Sequence, residues 1–93
     1  MKKLNQDTIC VQGGWKPSKG EPRVLPIYQS TTFKYDTSEQ MADLFDLKAP
    51  GYFYTRLQNP TNDSAAARIC ALEGGYAAML TSSGQAANFF AIF

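Results

Sequence analysis

Leu72-Glu73-Gly74-Gly75-Tyr76-Ala77-Ala78-Met79-Leu80-Thr81-Ser82-Ser83-Gly84-Gln85-Ala86-Ala87 carries the change of pattern that decides the fold. Upstream of it, Asn62 to Glu73 reads as a helix, because its alanines have high propensity and Ala65, Ile69 and Leu72 share a face. Gly74-Gly75 ends that helix, as a glycine able to turn left-handed commonly does. Tyr76 to Thr81 reads as a buried strand, Ser82-Ser83-Gly84 as a turn, and Gln85 as the start of a further helix. Helix, strand, glycine turn and helix in this order usually open an α/β layer around a parallel sheet. One parallel strand cannot form a sheet with itself, and such sheets need both faces covered. Most of the fold is therefore expected beyond Phe93, or from another copy. Asn88-Phe89-Phe90-Ala91-Ile92-Phe93 supports the same expectation, being apolar and helix-compatible with no glycine, proline or basic residue to stop it.

Working back from that stretch, Gly51-Tyr52-Phe53-Tyr54 sets three aromatics before Thr55-Arg56-Leu57-Gln58-Asn59-Pro60-Thr61. Pro60 suits the approach to a helix and Thr61 can cap it. Further upstream, Thr37 and Gln40 stand at capping-box spacing, and Met41, Leu44 and Phe45 give one apolar stripe, with Ala49-Pro50-Gly51 as the stop. Leu25 to Phe33 has strand-like content, yet Pro26 argues for an edge or irregular extended segment. Residues 1–26 read as an extended arm punctuated by Gly13-Gly14 and Pro17 to Pro22. Asp7 to Val11 is compatible with one helical turn or a short strand. Trp15 is either a core anchor or a contact with a neighbouring subunit.

Two places have the equipment to hold a phosphate. Arg56 offers a planar fork of donors and Tyr54 a hydroxyl two residues away. Gly84 and Gln85 offer backbone N–H groups at a helix N-terminus, where the dipole favours an anion, with Ser83 preceding them. A charge-assisted hydrogen bond is worth about 1.5–3 kcal/mol, so a few such donors anchor a small phosphorylated cofactor. The bland readings are a surface salt bridge for Arg56 and an ordinary small-residue turn at 82–84. The sequence lacks GxGxxG and GxxxxGK[ST], which removes Rossmann and P-loop nucleotide sites from consideration.

Composition narrows the chemistry. Nine basic and eight acidic residues alternate to a net charge of +1, which gives no electrostatic case for nucleic acid or an anionic membrane as partner. No apolar run follows Met1-Lys2-Lys3 and none approaches the roughly 20 residues of a membrane span, so a cytoplasmic protein is expected. The two cysteines, Cys10 and Cys70, are expected as free thiols. With no histidine, metal sites of the CxxC or HExxH kind and Ser-His or Cys-His nucleophile pairs have no residues to build them. Lysine, tyrosine, carboxylates or a borrowed cofactor must carry any chemistry.

Pro26-Ile27-Tyr28-Gln29-Ser30-Thr31-Thr32-Phe33, then Tyr54-Thr55-Arg56 with Asn59-Pro60-Thr61, then Leu72-Glu73-Gly74-Gly75, then Ser82-Ser83-Gly84-Gln85-Ala86-Ala87 together resemble the N-terminal part of one family. It is the Cys/Met-metabolism (trans-sulfuration) pyridoxal-phosphate enzymes, with the aspartate-aminotransferase-like fold (fold type I). Gln85 and Leu57-Gln58 look most like the O-acetylhomoserine sulfhydrylases. The resemblance implies an α/β fold in which residues 1–60 form an arm with one short helix and dimer contacts. Residues 61–93 would begin the large, pyridoxal 5'-phosphate-binding domain, left incomplete here.

The resemblance also assigns roles. Tyr54 and Arg56 match the pair that reaches across a dimer interface to the phosphate of the neighbouring subunit's cofactor. Ser83, Gly84 and Gln85 match the group that holds the phosphate of the subunit's own cofactor. The Schiff-base lysine would lie beyond this chain, since none of Lys2, Lys3, Lys16, Lys19, Lys34 or Lys48 sits at a matching position; the piece alone is expected to be inactive. Gln12 departs from the histidine that many members place before the glycine pair. The implied reaction joins O-acetylhomoserine with sulfide or a thiol, giving homocysteine or a thioether and acetate. Methionine γ-lyase or cystathionine γ-synthase or γ-lyase activity is the alternative within the family. A non-catalytic, self-associating piece, driven by Phe89 to Phe93, is the alternative of another class.

Overall fold

The computed structural model describes residues 3–93, and among them forms four helices: α1 (Gln6–Gln12), α2 (Ser38–Phe45), α3 (Pro60–Glu73) and α4 (Gly84–Ile92). Its radius of gyration is 15.6 Å, against about 12 Å for a compact domain of this length. Only Leu44 and Ala66 are buried apolar side chains among the described residues, so the chain is an open frame around a slight core.

The arm resolves into helix rather than strand at its start, with Asp7 favourably placed in the first turn of α1. α1 packs on α3, the one helix pair in contact among the described residues. Gly14 makes that approach possible: its φ is +79°, and a side chain there would run into the Ser64 carbonyl and the Arg68 backbone. Arg68 closes the joint by donating from Nε to the Gly13 carbonyl at 2.7 Å. Trp15, half-buried, donates from Nε1 to the Pro22 carbonyl at 3.0 Å and so pins the loop after α1.

At α2 the expected cap forms in altered form. Thr37 Oγ1 accepts from the Gln40 amide at 3.2 Å, while Gln40 Oε1 accepts from the Asp36 amide at 3.0 Å instead of the Thr37 amide. Leu44 is buried, Met41 half-buried, and the exposed Phe45 leans its ring on Phe53 at 4.5 Å. α2 stops at Phe45, short of the expected Ala49-Pro50-Gly51, because Leu47 turns left-handed with φ +60°.

α3 starts two residues before the expected Asn62. Asn59 caps it, its side chain accepting from the Thr61 amide, and Pro60 fills the first turn, where its missing N–H costs nothing. Thr61 is therefore not the cap; its hydroxyl accepts from the Tyr28 amide at 2.9 Å. Gly74, at φ +64°, ends the helix as expected. The covered face differs from the predicted Ala65–Ile69–Leu72 stripe. Ala66 is buried and Ser64 and Arg68 meet α1, while Ala65 and Ile69 are exposed.

The predicted strand Tyr76 to Thr81 is not formed, and no sheet exists among the described residues. A strand needs partners for its backbone groups, and nothing here supplies them. Tyr76 is fully exposed in consequence, and Met79 and Leu80 are also exposed. The α/β layer thus appears as helices flanking an extended, unpaired segment. Residues 24–31 are extended without forming a strand, meeting the aromatic stretch through a single antiparallel bridge, Thr32 to Tyr54.

Gly14→Ala is expected to lower stability by more than about 2 kcal/mol, because it combines left-handed strain with a clash at the α1–α3 joint. Urea denaturation of the chain checks this; a variant as stable as the parent would mean that the joint is not a close one.

Candidate functional site

The first half-site grows from the aromatic stretch. Tyr52 lies against Phe33, ring centroids 5.9 Å apart, and its hydroxyl donates to Asp63 Oδ2 at 2.8 Å. Burial first, and then the hydrogen bond to Asp63, push the Tyr52 phenol up from 10.0 to about 12. The Tyr54 carbonyl accepts from the Leu57 and Gln58 amides at 3.0 and 3.1 Å, closing a tight turn that presents Arg56 at its crest. The guanidinium of Arg56 sits 5.2 Å from the centroid of the Tyr54 ring, a cation–π contact.

Arg56 is exposed, and the surface salt bridge of its bland reading is not formed among the described residues. Among the described residues the ion pair is Lys48 with Asp46, at 4.0 Å. The Arg56 fork therefore faces outward with its donors uncommitted.

Below this turn lies Asn59, the one buried polar side chain among the described residues, 3% exposed. Its Oδ1 accepts from the Thr61 amide at 2.8 Å, and its Nδ2 donates to the Tyr28 carbonyl at 3.0 Å and to Thr55 Oγ1 at 3.2 Å. Thr55 donates its hydroxyl to the Ser30 carbonyl and its amide to the Thr31 carbonyl. This role of Asn59 goes beyond its place in the motif Asn59-Pro60-Thr61. The signal was available, since Asn directly before a Pro at a helix start is a favoured cap pair.

The second half-site is the first turn of α4. Ser83 is its N-cap, accepting at Oγ from the Ala86 amide at 3.0 Å and at its carbonyl from the Ala87 amide at 3.1 Å. Thr81 donates its hydroxyl to the same Ser83 carbonyl at 2.9 Å and so steadies the approach to the cap. The amides of Gly84 and Gln85 come earlier in the turn and have no intrahelical acceptor. Gly84 and Gln85 are both exposed, so this end of the helix faces solvent.

The structure thus brings Tyr54 to Arg56, and Ser83 to Gly84 and Gln85. It does not join the two groups: among the described residues no hydrogen bond or ring contact links one with the other. The donor sets suit a phosphate. One offers a guanidinium and a phenol, the other two amides and a hydroxyl at the positive end of a helix.

The sequence model of the Cys/Met metabolism PLP-dependent enzymes matches residues 7–93. The chain belongs to that family. Homocysteine/cysteine synthase of Kluyveromyces lactis is 44% identical over 88 residues, covering 92% of this chain and 20% of that protein. O-acetyl-L-homoserine sulfhydrylase of Leptospira meyeri is 42% identical over 87 residues, with 92% and 20% covered. L-methionine gamma-lyase of Fusobacterium nucleatum subsp. polymorphum is also 42% identical, over 86 residues. A crystal structure described as an O-acetylhomoserine (thiol)-lyase of Campylobacter jejuni, containing a pyridoxyl-lysine phosphate, superposes with a TM-score of 0.86 at 34% identity. The match covers 96% of this chain and 21% of that one. The chain therefore has the fold of part of an aspartate-aminotransferase-like, fold type I enzyme, and it spans about a fifth of the length of the relatives it matches.

Because the folded chain holds the Tyr52 proton more tightly than the unfolded chain, this contribution to stability is complete below pH 10.0 and fades as the pH rises toward about 12. Absorbance titration at alkaline pH is expected to show one of the five tyrosines ionising last, and Asp63→Asn is expected to bring it down. A single transition for all five would contradict the Tyr52–Asp63 contact.

Proposed function

We propose that this chain provides the cofactor-phosphate anchors of a pyridoxal-phosphate O-acetylhomoserine sulfhydrylase. The carrying observation is the first turn of α4, where Ser83 caps the helix through the Ala86 amide and the exposed Gly84 and Gln85 supply its first amides. These donors, with the Ser83 hydroxyl, hold the phosphate of the subunit's own cofactor. Tyr54 and Arg56 serve the phosphate bound to a neighbouring subunit, which accounts for the absence of any contact between the two groups within one chain. Residues 1–60 form the arm that meets that neighbour, and residues 61–93 begin the cofactor-binding domain.

When bound, pyridoxal phosphate supplies the electron sink that lets acetate leave O-acetylhomoserine and sulfide or a thiol take its place. This chain's part is to bind and orient. The first-turn amides of α4 and the Ser83 hydroxyl would hold the phosphate at the positive end of the helix, and the Arg56 fork of a neighbouring subunit would add charge-assisted donors. Holding the phosphate in this way would restrict the orientation of the bound group. The sulfhydrylase reading over a lyase rests on Leu57-Gln58 and Gln85, together with the names of the relatives.

The test is a chimaera in which this chain replaces the matching 88 residues of the Kluyveromyces lactis enzyme. Arg56→Ala in the chimaera is expected to weaken pyridoxal phosphate binding about ten- to hundredfold, equivalent to about one charge-assisted hydrogen bond, while leaving the affinity for phosphate-free pyridoxal nearly unchanged. Unaltered pyridoxal phosphate affinity would refute the anchor. The 93-residue chain by itself is expected to form no homocysteine from O-acetylhomoserine and sulfide.

A further inference from the structure

We propose that Asn59 is a positioning residue for the phosphate donors, acting through Thr55 on Arg56. The inference rests on the reading of Tyr54 and Arg56 as phosphate anchors, and it concerns what determines where they stand.

Among the described residues the Arg56 guanidinium has no hydrogen bond or ion pair and lies over the Tyr54 ring, so its position follows from the backbone beneath it. That backbone is a turn whose two feet are Thr55 and Asn59. Both are tied to the same extended segment. Asn59 Nδ2 donates to the Tyr28 carbonyl, while Thr55 donates to the Ser30 and Thr31 carbonyls. The second Nδ2 hydrogen joins one foot to the other, at Thr55 Oγ1.

A carboxamide has two donor hydrogens and an acceptor oxygen, and in Asn59 all three are used within a buried pocket. The Oδ1 contact is the helix cap, which serine or aspartate could also provide. The two donor contacts have no counterpart in those residues. Capping alone would therefore not require asparagine, whereas tying the turn to residues 28–31 does. Losing the tie leaves the Tyr28 carbonyl without its Asn59 donor and frees Thr55 Oγ1 from Asn59, and Arg56, one residue from Thr55, moves with the loosened foot.

Two substitutions separate the tie from the cap. Asn59→Ser keeps a capping oxygen and removes both donors. Thr55→Val leaves the Asn59 cap untouched and removes the hydroxyl that links the feet. In the chimaeric holoenzyme both are expected to weaken pyridoxal phosphate binding about five- to tenfold and pyridoxal binding less than twofold. In an Arg56→Ala background both effects on pyridoxal phosphate are expected to vanish, because the donor being positioned is gone. Equal weakening of both ligands, or an undiminished effect in that background, would show a purely structural role and overturn the inference while the anchor reading stands. If Arg56→Ala itself leaves pyridoxal phosphate binding unchanged, the anchor reading fails and this inference falls with it.

Discussion

The buried carboxamide of Asn59 is the constraint on which the first half of the chain depends. Two stretches far apart in sequence meet there: the extended segment at Tyr28, and the turn that runs from Thr55 into the start of α3 at Thr61. Apolar packing cannot take its place, because the buried apolar side chains are only Leu44 and Ala66 among the described residues. A buried amide that lost one partner would cost about 1–3 kcal/mol, so the three contacts are specified together or not at all. Around this knot the Gly14 approach of α1 to α3 adds a second fixed joint.

The second half is held less firmly. α4 touches no other helix among the described residues, and its phenylalanines pack on each other, Phe89 stacking on Phe93 at 5.0 Å and meeting Phe90 edge-on at 5.5 Å. Its N-terminal turn is nonetheless well defined, because Ser83 and Thr81 organise it locally. A helix N-terminus capped in this way needs only local order, which is why its turn is defined while the packing around the helix is sparse.

Local chemistry was the legible part of the sequence. The Thr37 cap, the glycine stop at Gly74 and the turn before α4 each follow from residues within a few positions of one another. The features that differed from expectation depend on partners elsewhere. Tyr76 to Thr81 has the composition of a strand, yet strand formation is a property of a pair, and no second strand is present among the described residues. The buried face of α3 is set by where Gly13 and Gly14 dock, which periodicity within α3 does not reveal. Of the candidate site, Tyr54, Arg56, Ser83, Gly84 and Gln85 were named from the sequence, but the tie beneath the Tyr54–Arg56 turn was not. Asn59 acts through residues 28 and 55, and that contact map is absent from any local pattern.

The most direct measurement is the structure of the chimaeric enzyme with pyridoxal phosphate bound. Phosphate oxygens are expected within about 3 Å of the Gly84 and Gln85 amides of one subunit and of Arg56 from its partner, in charge-assisted hydrogen-bond geometry. A phosphate held away from α4, or met by Arg56 from the same subunit, would contradict it.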